Sequence, residues 1–97
     1  KIILFDEPFA SLDPITRDKL QKEILEIRET EPFTSIFVTH DMNEAILLAD
    51  RLAIIDSGEL LQVGLPKELI HSPTNEVVKA FFDTPKDQSR RIQELLG

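Results

Sequence analysis

The sequence has no cysteine, so disulfide frameworks, thiolate zinc sites and cysteine nucleophiles are excluded. It has only three glycines, Gly58, Gly64 and Gly97, and none stands in a glycine-rich phosphate-binding loop. It is short of positive charge. Eleven Lys and Arg face eighteen Asp and Glu, a net charge of −7, which argues against a generic nucleic-acid surface. No apolar run approaches the roughly 18 residues of a membrane helix, and no signal peptide is evident. The expected compartment is the cytoplasm. At 97 residues, 41% hydrophobic and 30% charged, the chain has an ordinary globular composition. It is smaller than a complete nucleotide-handling domain. It opens from Lys1 straight into Ile2-Ile3-Leu4-Phe5. A buried strand at the very start reads as a piece of a longer protein.

The pattern alternates strand and helix. Residues 1–5 are a continuous apolar run, as in parallel strands covered on both faces. Asp13 is an N-cap, Pro14 suits the first helical position, and a helix is expected to about Glu29. Leu20, Ile24 and Ile27 should form its buried stripe. Residues 35–39 form a second strand, β-branched and aromatic. A strand, helix, strand unit of these lengths implies parallel strands with a right-handed crossover. Asp41 and Glu44 fit a capping box for a helix over residues 42–49. Residues 51–56 and 59–63 should pair as an antiparallel hairpin through Ser57-Gly58. Short helices are expected from Pro66 to His71 and, capped by Asn75, over residues 76–82. Residues 83–89, polar and containing Pro85, read as a linker, and residues 90–96 as a last helical turn or two. Phe81 and Phe82 read as core, and His71 as a helix-end cation.

Two strand ends carry candidate chemistry. Asp6 and Glu7 leave the first strand at its carboxyl end, where open α/β sheets bind ligands. One acid can hold Mg²⁺ through oxygen, and the other can orient a water for attack on a phosphate. An acidic strand end can also simply cap the following turn, and the pair alone leaves both readings open. Val38-Thr39-His40-Asp41 ends the second strand. Parallel pairing puts His40 near Asp6 and Glu7, where an imidazole can hydrogen-bond a phosphate oxygen. A hydrogen bond to local backbone is the alternative for His40. Ser11 lies on the loop before Asp13.

The run from Ile2 to Asp13, followed by Val38-Thr39-His40-Asp41, resembles the second half of an ABC-transporter ATPase subunit. Ala45, Asp50-Arg51 and the Asp56-Ser57-Gly58 turn are similar to that family as well. The resemblance covers residues 1–82 and implies an α/β fold: part of a P-loop NTPase-type parallel sheet, then a β-hairpin and short helices. Residues 83–97 would be a linker or tail. It implies that Asp6 is the Walker B aspartate, which helps hold Mg²⁺. By the same resemblance Glu7 is the catalytic glutamate and His40 the switch histidine that contacts the γ-phosphate of ATP. Ser11 and Asp13 match D-loop positions, which communicate across a dimer of ATPase domains. The implied partners are transmembrane permease subunits and a second ATPase subunit, at the inner face of the cell membrane; no nucleic acid is expected. The family's P-loop, adenine-stacking aromatic, Q-loop and helical subdomain find no match here. The resemblance therefore implies half of an active site, inactive alone and prone to self-association. Asp13-Pro14-Ile15-Thr16-Arg17 is similar to importers of glycine betaine, carnitine, choline or proline. The ATPase head of a chromosome or DNA-repair protein and a non-enzymatic oligomerising piece are the competing readings.

Overall fold

A computed structural model of the chain describes residues 2–97; the expected start of the first strand at Lys1 lies outside the described residues. The chain forms two compact units, one up to Leu48 and one from Ala49 to Gly97.

The first unit contains β1 (Ile2–Asp6), α1 (Pro14–Thr30), β2 (Thr34–Val38) and α2 (Met42–Leu48). β1 and β2 pair in parallel, with Ile2 opposite Thr34 and Asp6 opposite Val38. Parallel neighbours need a long return connection, and α1 supplies it. Both carboxyl ends therefore lie at one edge of the sheet. Side chains alternate between the two faces. Ile3, Phe5, Ser35 and Phe37 are partly covered, and the rings of Phe5 and Phe37 stack at 4.5 Å, only 9° from parallel. On the other face Ile2 and Leu4 are 69% and 65% exposed, and Ile36 and Val38 are also exposed. β1 was expected to be covered on both faces; the described residues cover one.

Asp13 caps α1 as expected. Its carboxylate accepts the Thr16 backbone N–H at 2.9 Å and the Thr16 hydroxyl at 2.8 Å. Pro14 follows at the first helical position, where no N–H is needed. The expected apolar stripe needs correction. Leu20 and Ile24 are half-buried, but Ile27 is 50% exposed and the residue most fully covered is Gln21. The cause is that α1 meets α2 through polar side chains, described below.

The second unit contains β3 (Leu52–Asp56), β4 (Glu59–Gly64), α3 (Pro66–His71) and α4 (Glu76–Leu96). β3 and β4 form the expected hairpin, with Asp56 opposite Glu59. Ser57 and Gly58 both have positive φ, 51° and 78°. That is the two-residue turn whose twist matches paired strands. The ladder slips between Ile54 and Ile55: Ile54 faces Gln62 and Ile55 faces Leu60. Leu52, Ile54, Leu69, Val78 and Phe82 form the core, with Leu69 and Val78 fully buried. The Gln62 side chain donates to the Ser72 carbonyl and accepts the Thr74 N–H, which pins the α3–α4 loop to β4. Asn75 caps α4 by accepting the Val78 N–H at 3.0 Å.

Residues 83–89 do not form a break: α4 runs unbroken from Glu76 to Leu96 with Pro85 inside it. Proline removes one hydrogen bond, yet its fixed φ is compatible with a helix. The residues after it, Lys86 to Leu96, are mostly strong helix formers, and Asp87 pairs with Arg90 at 3.2 Å. No helix among the described residues is long and apolar enough to cross a membrane.

Candidate functional site

The carboxyl edge of the β1–β2 pair gathers the candidate chemistry. The register sets Asp6 opposite Val38, and the Glu7 N–H extends the pairing by donating to the Val38 carbonyl at 2.8 Å. Glu7 has a φ of 50°. A non-glycine residue in this left-handed region carries about 1 kcal/mol of strain or more. The chain turns sharply there, and the Glu7 carboxylate meets Nδ1 of His40, two residues beyond the end of β2. Glu7 is partly covered, whereas the His40 side chain is 95% exposed. A carboxylate can only accept, so Nδ1 is the donor in this contact, and Nε2 can meet a phosphate oxygen when it carries a proton as well. A carboxylate that can accept a proton from water thus stands beside an imidazole that can meet a phosphate oxygen.

Asp6 is exposed at the last position of β1. Among the described residues, no three His, Cys, Asp or Glu converge on a possible metal position. The described residues therefore form no all-protein metal cage. A single exposed carboxylate fits Mg²⁺, which keeps several waters and shares the phosphates of its nucleotide.

Ser11 and Asp13 lie on the connection from Glu7 to α1. Two consecutive turns shape it, with the Ala10 N–H donating to the Glu7 carbonyl and the Leu12 N–H to the Phe9 carbonyl. Phe9 is the anchor, 3% exposed. Ser11 is exposed. The Asp13 carboxylate is engaged with Thr16, first through the backbone N–H and then through the hydroxyl, and these bonds hold its pKa below the ordinary value. The structure thus brings Glu7 and His40 together, sets Asp6 opposite Val38 and next to Glu7 in the chain, and commits Asp13 to helix capping.

The expected capping box forms by half. Asp41 accepts the Glu44 N–H at 3.2 Å, but the Asp41 N–H donates to the Thr39 hydroxyl instead. Glu44 is buried, 4% exposed, and accepts a hydrogen bond from Gln21 of α1 at 3.3 Å. Arg17, noted in the sequence only as part of a subfamily-like run, bonds Asp41 and two loop carbonyls. Arg17, Gln21, Ile24 and Arg28 share one face of α1. Polar residues at helical spacing in the stripe facing α2 are the signal that an apolar-stripe reading passes over.

No family model matches the chain. It is 55% identical over 101 aligned positions to the glycine betaine/carnitine/choline transport ATP-binding protein OpuCA of Bacillus subtilis, covering 99% of this chain and 27% of that protein. It is 52% identical to the choline transport ATP-binding protein OpuBA of Bacillus subtilis, covering 84% of this chain and 21% of the relative. Against the glycine betaine/proline betaine transport system ATP-binding protein ProV of Escherichia coli the figures are 41%, 84% and 20%. Among solved structures, CbiO1 of Clostridium perfringens, part of the ABC transporter complex CbiONQ, matches with a TM-score of 0.65 and 28% identity. That match covers 99% of this chain and 36% of CbiO1. The chain spans 20–27% of the length of the curated relatives named here. In sequence and in fold it is related to the ATP-binding subunits of ABC transporters, and it corresponds in length to part of one.

Proposed function

We propose that this chain is part of the ATP-hydrolysing subunit of an ABC importer for a small osmoprotectant such as glycine betaine or proline. The observation that carries the reading is the meeting of Glu7 and His40 at the carboxyl edge of a parallel strand pair. The transport systems to which OpuCA, OpuBA and ProV belong support the solute class. Residues 1–82 belong to the ATPase domain in this reading, and residues 83–97 are its tail, the end of α4.

The roles follow from phosphoryl transfer, which is mostly positioning and charge stabilisation. Glu7 accepts a hydrogen bond from the attacking water and orients it toward the γ-phosphate. In the doubly protonated ring His40 donates from Nδ1 to the Glu7 carboxylate and from Nε2 to a γ-phosphate oxygen. Asp6 would help hold Mg²⁺, in part through its waters, and the ion would supply positive charge to offset that of the phosphates. Ser11 and the Asp13 loop face a second ATPase subunit. Permease subunits dock on the full protein, which is peripheral to the cytoplasmic face of the membrane.

A nucleotide titration tests the division of labour. The full-length protein should bind Mg-ATP and hydrolyse it. The 97-residue chain alone should show no binding heat at micromolar nucleotide, because no glycine-rich loop cradles the phosphates. Tight binding by the short chain would mean that a different cradle exists, and the half-site reading would fail.

A further inference from the structure

A polar ladder joins α1 to the segment that follows His40. Arg17 Nη1 reaches Asp41 Oδ2 at 3.3 Å, Gln21 Nε2 donates to Glu44 Oε2 at 3.3 Å, and Arg28 Nη1 donates to the Leu48 carbonyl at 2.6 Å. Arg17 also reaches the loop that leaves Glu7. Its Nε donates to the Phe9 carbonyl at 3.2 Å, and its Nη2 donates to the Leu12 carbonyl at 3.2 Å. One guanidinium thus grips the loop that leaves Glu7 at two points, and the residue after His40 at a third. Phe9 is two residues from Glu7, and Asp41 is bonded directly to His40 in the chain. The planar fork of five donors suits three acceptors in different directions; an ammonium is a single point charge.

We propose that Arg17 is a positioning residue that fixes the Phe9–Leu12 loop against the His40–Asp41 strand end, so that Glu7 and His40 meet in the reacting geometry. Its side chain and that of Asp41 are 29% and 38% exposed. An ion pair that accessible contributes little to global stability. Its effect belongs in the geometry of the edge, where a displacement near 1 Å costs about 100-fold in rate. The catalytic part of this inference rests on the proposed ATPase function.

The test uses the full-length protein. Wild type, Arg17→Ala, Arg17→Lys, Asp41→Asn and the Arg17→Ala/Asp41→Asn double variant are compared in steady-state ATP hydrolysis. Hydrogen–deuterium exchange of residues 9–13 and 39–41 is measured in parallel. Arg17→Ala should lower kcat about 10- to 100-fold with KM for ATP nearly unchanged. Amides of Ala10 and Leu12 should exchange faster while the melting temperature holds. Lysine should restore little of kcat, and the double variant should be no slower than the slower single. Unchanged kcat and exchange in Arg17→Ala, or full rescue by lysine, would overturn the proposal. So would parallel loss of melting temperature and activity. If Arg17→Ala does not fold, Arg17→Lys and Asp41→Asn carry the test, and wild-type rates and loop exchange in both overturn it. If wild type hydrolyses no ATP, the functional reading fails by itself, and loop exchange still decides whether Arg17 fixes the edge.

Discussion

Glu7 combines chemistry with conformational cost. Its φ of 50° belongs to glycine by preference, yet a carboxylate stands there against His40. Glycine and alanine at this position remove the same carboxylate and differ by one Cβ. Glu7→Gly should therefore be more stable than Glu7→Ala by about 1 kcal/mol, the reverse of the order in a helix or strand. Chemical denaturation of the two variants measures this. His40→Ala should slow ATP turnover of the full-length protein by about 10²- to 10³-fold, the scale seen when one donor to developing charge is removed. Asp13 gives a pH signature. Its pKa is lowered by the Thr16 N–H and hydroxyl, so the charged form is favoured in the folded state. The stability it lends is full above the ordinary carboxylate pKa and is lost as pH falls through the lowered one. Asparagine also caps helices but does not titrate there. The melting temperature of Asp13→Asn should thus converge with that of wild type as the solution is acidified below the ordinary carboxylate range. A gap unchanged across that range would remove Asp13 from the acid response.

At the scale of elements, local signals were the legible ones. Asp13-Pro14, Asn75 and Ser57-Gly58 each contain their own cause, a cap or a turn, and each lies where that cause puts it. The parallel pair followed from one strand, helix, strand pattern, and it brought Glu7 and His40 to the same edge. The losses came where a distant partner decides. Glu44 has every feature of a capping-box acid, but Gln21 on another helix competes for its carboxylate. Arg17 carries no signal of its own in the sequence beyond its place in the Asp13–Arg17 run, because the loop carbonyls it grips are set by the fold. Pro85 reads as a breaker because the helix-forming run after it is weighed separately. The turn at Gly58 yields a stability prediction. Its φ of 78° is poorly suited to any residue with a Cβ, although nothing crowds the space a Cβ would fill. Gly58→Ala should destabilise the hairpin unit by about 1–2 kcal/mol through backbone strain alone, measurable by thermal unfolding. Unchanged stability would show that the turn relaxes to another type.

At the scale of the whole chain, what is exposed matters as much as what is buried. Ile2, Leu4, Ile36 and Val38 line one face of a two-stranded sheet, and Ile15 is 84% exposed. Unpartnered apolar faces and sheet edges promote association. The 97-residue chain on its own should therefore self-associate at micromolar concentration, and light scattering that reports a clean monomer would contradict this. In the proposed full protein, that face and the missing phosphate cradle are supplied together. In that proposal the chemistry at the edge belongs to the assembled domain, and Asp6, Glu7 and His40 would be this chain's contribution.

Glu7 is the proposed water-orienting carboxylate of an ATPase. Steady-state ATP hydrolysis and ATP binding by the full-length protein carrying Glu7→Gln decide this role. This change keeps size and hydrogen bonding and removes the basic oxygen. ATP affinity should be retained and hydrolysis reduced about 10²- to 10⁴-fold, the range for loss of a positioned base. Near-normal turnover in the glutamine variant would contradict this role and would take Glu7 out of the reaction.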